Sequence, residues 1–356
     1  MVNLHAQIDG LAARVAPAAA DWSVLIELLT LRGQVLGRIA DYERAAELAE
    51  RLVRDSPAGD GTALLTRART RATFHRFADA LADLDAANDC GGAADCGGAA
   101  DRGRADHAAL AAERAVILQA TGSRDEAEKL HRAAARDRPG FATLAALAVF
   151  HAERGEVAQA EGLFAEARRR YQRISPFPVA SLDYRRGLMW YREGNLTAAR
   201  AWLGASRARV PAYAPALGHL AEIDLAVGSH EAAVNRLRPL ASASDDPQYA
   251  ATLARALSAA GRRREAGQWR GTAAARYDEL AQRHPQAYAE HAADFRRLVT
   301  WPALPGRRCL AGVTWPAFPA YVPDGGVAGS ALPSEPGRSR NLSRIYAMAP
   351  GMSGSQ

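Results

Sequence analysis

Apolar and small residues recur in this chain in two alternating stripes. Between Ser181 and Pro211, Leu182, Gly187 and Trp190 stand at i, i+5 and i+8, and Ala199, Leu203 and Ser206 stand at i, i+4 and i+7. Each set marks one face of a helix with 3.6 residues per turn. Gly194 and Asn195 separate the stripes and Pro211 follows the second, so the stretch predicts a helix, a tight turn, a second helix and a stop. Gly187 is small enough to let the two axes approach closely. One helical hairpin cannot bury both of its faces and needs neighbours of the same kind.

Such neighbours are present. Counting 34 residues on from Ala199 reaches Ala233, and 33 more reaches Ala266; counting back 39 reaches Ala160, and another 33 reaches Ala127. Nearer the N-terminus Gly33, Leu36, Tyr42, Ala45, Ala49, Leu52 and Pro57 fit the same template, while Ala68, Phe77, Ala80, Leu84 and Ala87 fit it less closely. Seven units therefore run from about Leu25 to Thr272. The pattern resembles the tetratricopeptide (TPR) repeat, with a small residue midway along the first helix, Gly in the turn, Ala beyond it and Pro closing the unit. Here those places are Gly187, Gly194, Ala199 and Pro211. The similarity is to TPR proteins of GC-rich bacteria, covers about three quarters of the chain, and speaks for the fold. It implies an all-α chain, an α-solenoid of about seven TPR-like helix-turn-helix repeats with a disordered C-terminal tail.

The departures from the repeat divide the chain. Residues 1–20 carry Leu4, Ile8, Leu11 and Val15 on one stripe and are expected to cover the open end of the first repeat. Residues 21–271 form the solenoid. Its spacing swells to 47 between Ala80 and Ala127, where the hexapeptide Asp-Cys-Gly-Gly-Ala-Ala occurs twice, predicting a Gly-rich loop over 89–105. The spacing of 39 before Ala199 reflects Ile174 to Pro178, where two prolines exclude a helix interior and predict a bend. Residues 272–298 read as two capping helices broken at Pro285. Residues 299–356 are rich in Pro and Gly without a period, the composition of a disordered tail.

Composition narrows the function. The net charge is +6, but seven Arg against Asp324 and Glu335 place +5 of it from Arg296 onward. The nearly neutral solenoid is a poor match for a phosphate backbone, so nucleic acid is not an expected partner. No apolar run reaches the length of a membrane span. The first residues carry no basic leader, and three scattered cysteines suit a reducing compartment, so the chain is expected in the cytoplasm. Cys90 and Cys96 match no compact zinc spacing, and no cofactor or metal is expected. Lys129 is the single lysine, which points to a GC-rich coding sequence.

No catalytic motif is found, neither HExxH, a Walker loop, GxSxG nor a GxGxxG after a strand, and the chain is not expected to be an enzyme. The TPR resemblance implies that first helices line a concave groove. Its groove-facing positions select Tyr184, Arg185, Leu188, Tyr191 and Arg192 in the fifth unit, His219 and Glu222 in the sixth, and Gln248, Thr252 and Arg255 in the seventh, with Arg69 from the second. The Lys and Asn set that clamps a C-terminal carboxylate in chaperone-binding TPR domains is missing. What remains is an aromatic and arginine cluster of Tyr184, Arg185, Tyr191, Arg192, His219, Glu222 and Arg255, suited to a protein or peptide partner. Equally open is an ordinary Arg185–Glu222 ion pair with tyrosines filling space. The function implied is a protein- or peptide-binding scaffold or adaptor. The alternatives are a sensor for a small signal peptide and an enzyme subunit with a central pocket.

Overall fold

The computed structural model describes residues 1–14, 19–92 and 107–300. Among these residues there are sixteen α-helices and no strand. A lead-in helix α1 (Val2–Ala12) is followed by seven antiparallel hairpins: α2 (Ala19–Leu36) with α3 (Ile39–Asp55), α4 (Gly61–Thr73) with α5 (Phe77–Gly92), α6 (His107–Thr121) with α7 (Arg124–Asp137), and α8 (Phe141–Glu153) with α9 (Val157–Arg170). Then come α10 (Pro176–Arg192) with α11 (Leu196–Arg209), α12 (Ala214–Ala226) with α13 (His230–Ala243), and α14 (Pro247–Ala259) with α15 (Arg263–Arg283); α16 (Pro285–Thr300) packs on α15. The chain is an all-α solenoid of TPR-like hairpins.

The repeat alanines hold the hairpins together. Ala45, Ala80, Ala127, Ala160, Ala199, Ala233 and Ala266, one on the second helix of each hairpin, are all at most 1% exposed. Only a methyl group fits where the second helix crosses the first. Opposite Ala199, Gly187 lies against Leu203, so closely that a Cβ there would stand 2.8 Å from the leucine Cγ. The turns of five hairpins hold Gly122, Gly155, Gly194, Gly228 and Gly261 at φ between 76° and 91°, a left-handed cap that lets the next amide reach back to the helix. His75 occupies that place in the second hairpin at φ 57°, which is why that unit fits the template less closely.

Three boundaries differ from the sequence expectation. Pro176 and Pro178 belong to α10, at its first turn, where a missing N–H costs nothing. Helix α5 continues to Gly92 rather than ending before the Gly-rich stretch; the remainder of that stretch, with Cys96, and the proposed tail beyond residue 300 lie outside the described residues. No break follows Gly271, because Ala266, Ala273, Tyr277 and Leu280 continue one buried stripe at i, i+7, i+11 and i+14 along α15. Leu4 and Ile8 of α1 join the core that includes residues of α2 and α3.

The array curls until its first hairpin meets its last. The α3 N-terminus has no cap of its own, and the carboxylate of Asp245, from the α13–α14 loop, accepts hydrogen bonds from the amides of Ile39 at 2.5 Å and Ala40 at 2.9 Å. Beside it the Ser244 hydroxyl donates to the Gly37 carbonyl. Gln34 on α2 donates to the Tyr213 hydroxyl at 3.2 Å. Further out, Glu43 on α3 accepts from His284 at 2.9 Å and pairs with Arg283 at 2.7 Å, while Phe74 stacks on His284 with ring centres 4.0 Å apart. Ile39, Tyr42, Phe74, Leu280 and Tyr288 form one apolar cluster across this seam.

Gly37 sits at the centre of the seam with φ +64°, and a Cβ there would meet Tyr249 Cε2 at 2.6 Å. Gly122 has φ +91° with nothing within 4 Å of its Cβ position. Gly122→Ala is therefore expected to cost only the backbone strain of about 1 kcal/mol, whereas Gly37→Ala adds a clash and costs more than about 2 kcal/mol. Chemical denaturation of the two variants measures the difference; equal losses would mean that the seam is not closed at Gly37.

Candidate functional site

Helix α10 carries Tyr184, Arg185, Leu188, Tyr191 and Arg192 at i, i+1, i+4, i+7 and i+8, on one continuous face. Because α2 packs with α10 and α12 in one core, the deep end of the face is closed. Tyr184 is 6% exposed and Arg185 5%. The Tyr184 ring meets Tyr213 and His219 edge-on at 5.7 and 5.6 Å, and the Arg185 guanidinium lies 5.9 Å from its centre. Burial pushes the Tyr184 phenol up and the Arg185 guanidinium down.

Toward the mouth the face opens. Tyr191, Arg192, His219 and Glu222 are half-buried, and Arg255 is exposed. Tyr191 meets the His219 ring edge-on at 5.5 Å. The His219 Nδ1 lies 3.0 Å from the Pro215 carbonyl, so the neutral ring carries its proton there and leaves Nε2 to accept. Burial raises the Tyr191 phenol, and the Glu222 carboxylate raises it further by charge and hydrogen bonding, against the charge of Arg255. Five of the seven candidate residues thus lie together across α10 and α12. Arg255 acts on Tyr191 from α14, and Arg192 turns toward Glu153 on α8.

Below Tyr184 is a cavity of about 50 Å³, room for a few waters, between α2, α10, α12 and α14. Gln34, Asp246 and Tyr249 line it with Arg185, His219 and Glu222. Gln248 and Thr252, read from the sequence as groove positions, also line it. Gln34 and Gly37 join from a hairpin roughly 180 residues earlier, which no local pattern signals. Asp246 caps α14 through the Gln248 amide at 3.0 Å, and burial raises its carboxyl to about 7. Arg69, read from the sequence as a groove position, pairs with Glu113 at 3.2 Å and Glu27 at 3.8 Å and so is engaged within the fold.

No helix of the described residues is long and apolar enough to cross a membrane, and no group of three or more metal-binding side chains gathers among them. No protein-family profile and no curated protein matches the chain. Many solved structures are similar in fold. They include PilW, described as a widely conserved type IV pilus biogenesis factor, at 17% identity and TM-score 0.48 over 67% of this chain and 98% of that one. A tetratricopeptide repeat protein from Parabacteroides merdae aligns at 12% identity and TM-score 0.46 over 77% and 98%. Cut9 in the APC/C assembly with Hcn1 aligns at 13% identity and TM-score 0.48 over 79% and 49%.

Because Asp246 is raised in the fold from an ordinary 3.8, folding favours its protonated form, and that contribution is lost as pH rises from about 4 through 7. Asp246→Asn keeps a capping oxygen without the charge. Its stability relative to wild type is expected to improve steadily between pH 4.5 and 8, read as the difference in thermal midpoints. A difference independent of pH would show that the Asp246 carboxyl is not buried in the folded protein.

Proposed function

We propose that the chain is a TPR-type scaffold that binds a protein or peptide segment at the mouth of its inner face. The observation that carries this is the rim in which the half-buried Tyr191, His219 and Glu222 and the exposed Arg255 stand above a closed floor. Tyrosine and arginine supply large, specific contacts at protein interfaces, and the aromatic rings here are already held edge to face. Because α2 occupies the deep part of the curve, the bound segment is short rather than one that runs the length of the array. The cavity beneath the rim also favours a second reading, a sensor whose ligand is a small peptide with one side chain inserted below. Both readings describe a binding protein, with the rim residues acting as contacts rather than as catalysts.

The rim and the floor respond differently to truncation. Tyr184→Ala is expected to cost about 3–5 kcal/mol of stability, since it empties a buried aromatic site. Tyr191→Ala with Arg255→Ala is expected to leave the helical circular dichroism signal intact and to lower capture of the partner at least about 10-fold, the equivalent of about 1.4 kcal/mol. Quantitative affinity capture from the source organism, wild type against double variant, measures this. Identical partners and yields, or no captured protein at all, would contradict the scaffold reading.

A further inference from the structure

The cavity beneath Tyr184 is bordered by acceptors whose own donors are already used. Gln34 spends its amide nitrogen on the Tyr213 hydroxyl at 3.2 Å, and Gln248 spends its own on Asp246 Oδ2 at 2.8 Å. Each of these side chains keeps its Oε1 as an acceptor. His219 likewise commits its Nδ1 proton to the Pro215 carbonyl and keeps Nε2. Among the described residues none of these three atoms is bonded, and none is sealed from water. The carboxylates of Glu222 and Asp246 belong to side chains lining the same space. These acceptors come from α2, from α12 and from the start of α14, so they surround the space instead of sharing one wall.

The charge of the lining is unbalanced in the same direction. Two acids, Glu222 and Asp246, stand against one guanidinium, that of Arg185. With both acids ionised the lining is short of one cation. Asp246 reflects the shortage, since burial holds its carboxyl up at about 7 in spite of the hydrogen bonds it accepts from Gln248. Tyr184 and Tyr249 add aromatic rings, whose faces attract a cation taken out of water. The lining residues that keep some exposure, Pro215, Gly218, His219, Glu222, Gln248 and Thr252, all belong to α12 and α14, so the cavity opens between these helices, at the rim. Its space of about 50 Å³, at roughly 10–15 Å³ for one water, holds about four non-hydrogen atoms.

We propose that this cavity binds the guanidinium group of an arginine side chain, carried on a peptide segment that lies across the rim. A guanidinium is one carbon and three nitrogens, the size the cavity holds. It is planar, as stacking on a tyrosine ring requires, and the five N–H donors of an arginine point outward around its edge to acceptors on several sides at once. A lysine ammonium offers its three donors from a single point and suits surrounding acceptors less well. A neutral amide leaves the charge of the lining unbalanced. The proposal rests on the reading of the rim as a peptide site and names the side chain which that site admits.

The test follows the Thr252 methyl resonance in the full-length protein, labelled at its threonine methyl groups, because Thr252 lines the cavity. The probe is the capped tripeptide acetyl-Ala-Arg-Ala-amide, and the control is its citrulline counterpart, equal in shape and without the charge. The arginine peptide is expected to shift the Thr252 signal saturably and to bind at least about 10-fold more tightly than the citrulline peptide. Glu222→Gln and Asp246→Asn are each expected to keep the helical circular dichroism signal and to weaken binding by a similar factor. Methylguanidinium, which has no backbone to meet the rim, is expected to shift the same signal only at higher concentration. No shift at Thr252 with either probe, equal binding of the citrulline peptide, or binding indifferent to both E222Q and D246N would overturn the proposal and leave the rim contacts untouched. Methylguanidinium binding as tightly as the tripeptide would instead overturn the peptide reading, since the rim would then add nothing.

Discussion

The four N–H groups at the start of a helix need acceptors from outside it, and α3 obtains its acceptor from the other end of the solenoid. Asp245 places a full negative charge where the helix dipole is positive, bonding the Ile39 and Ala40 amides across more than 200 residues of chain. Arg276 steadies the same residue, with Nε on the Asp245 carbonyl at 3.2 Å and Nη2 on its carboxylate at 3.4 Å. An open solenoid needs only contacts between neighbouring repeats. This one adds a seam, and the seam turns the inner face from a groove into an interior.

Closure changes the cost of every polar residue on that face. Arg69, Glu113, Glu153, Arg185 and Asp246 would be ordinary solvated side chains in an open array, but here each must be paired, shifted in pKa or left unsatisfied. The same demand explains how the arginines are used between hairpins. Arg32 holds the buried Asp41 with two bonds of 2.8 and 2.7 Å, Arg67 and Arg71 share Asp83, and Arg200 and Arg236 share Asp224. Planar guanidinium forks suit such half-buried pairs better than a lysine, and removing one partner costs more than the pair contributes. The arginine content thus has structural work in this fold beyond any bias of the coding sequence.

The hairpins were legible in the sequence because their determinants are local. An alanine recurring at 33 to 47 residues marks the crossing of two helices, and in five hairpins a glycine five residues earlier marks a left-handed turn; both kinds of position behave in the fold as their spacing implies. The seam was not legible, because it depends on small rotations accumulated over several hairpins, to which no single segment testifies. That is why Tyr184 and Arg185, read from the sequence as groove positions, are buried beside Gly33, Gln34 and Gly37 of the first hairpin. Aligned on the repeat alanines, His131 stands where four of the other six hairpins carry Leu or Phe.

The closed seam is the claim on which the interior chemistry rests, and hydrogen exchange at the α3 N-terminus tests it most directly. Amides in the first turn of a helix exchange rapidly unless something outside the helix accepts their hydrogen bonds. Closure predicts slow exchange for the amides of Ile39 and Ala40, and its loss in Asp245→Ala while the amides of the α3 interior stay protected. Exchange at those two amides as fast as at an uncapped helix end, in the wild-type protein, would contradict the closed array.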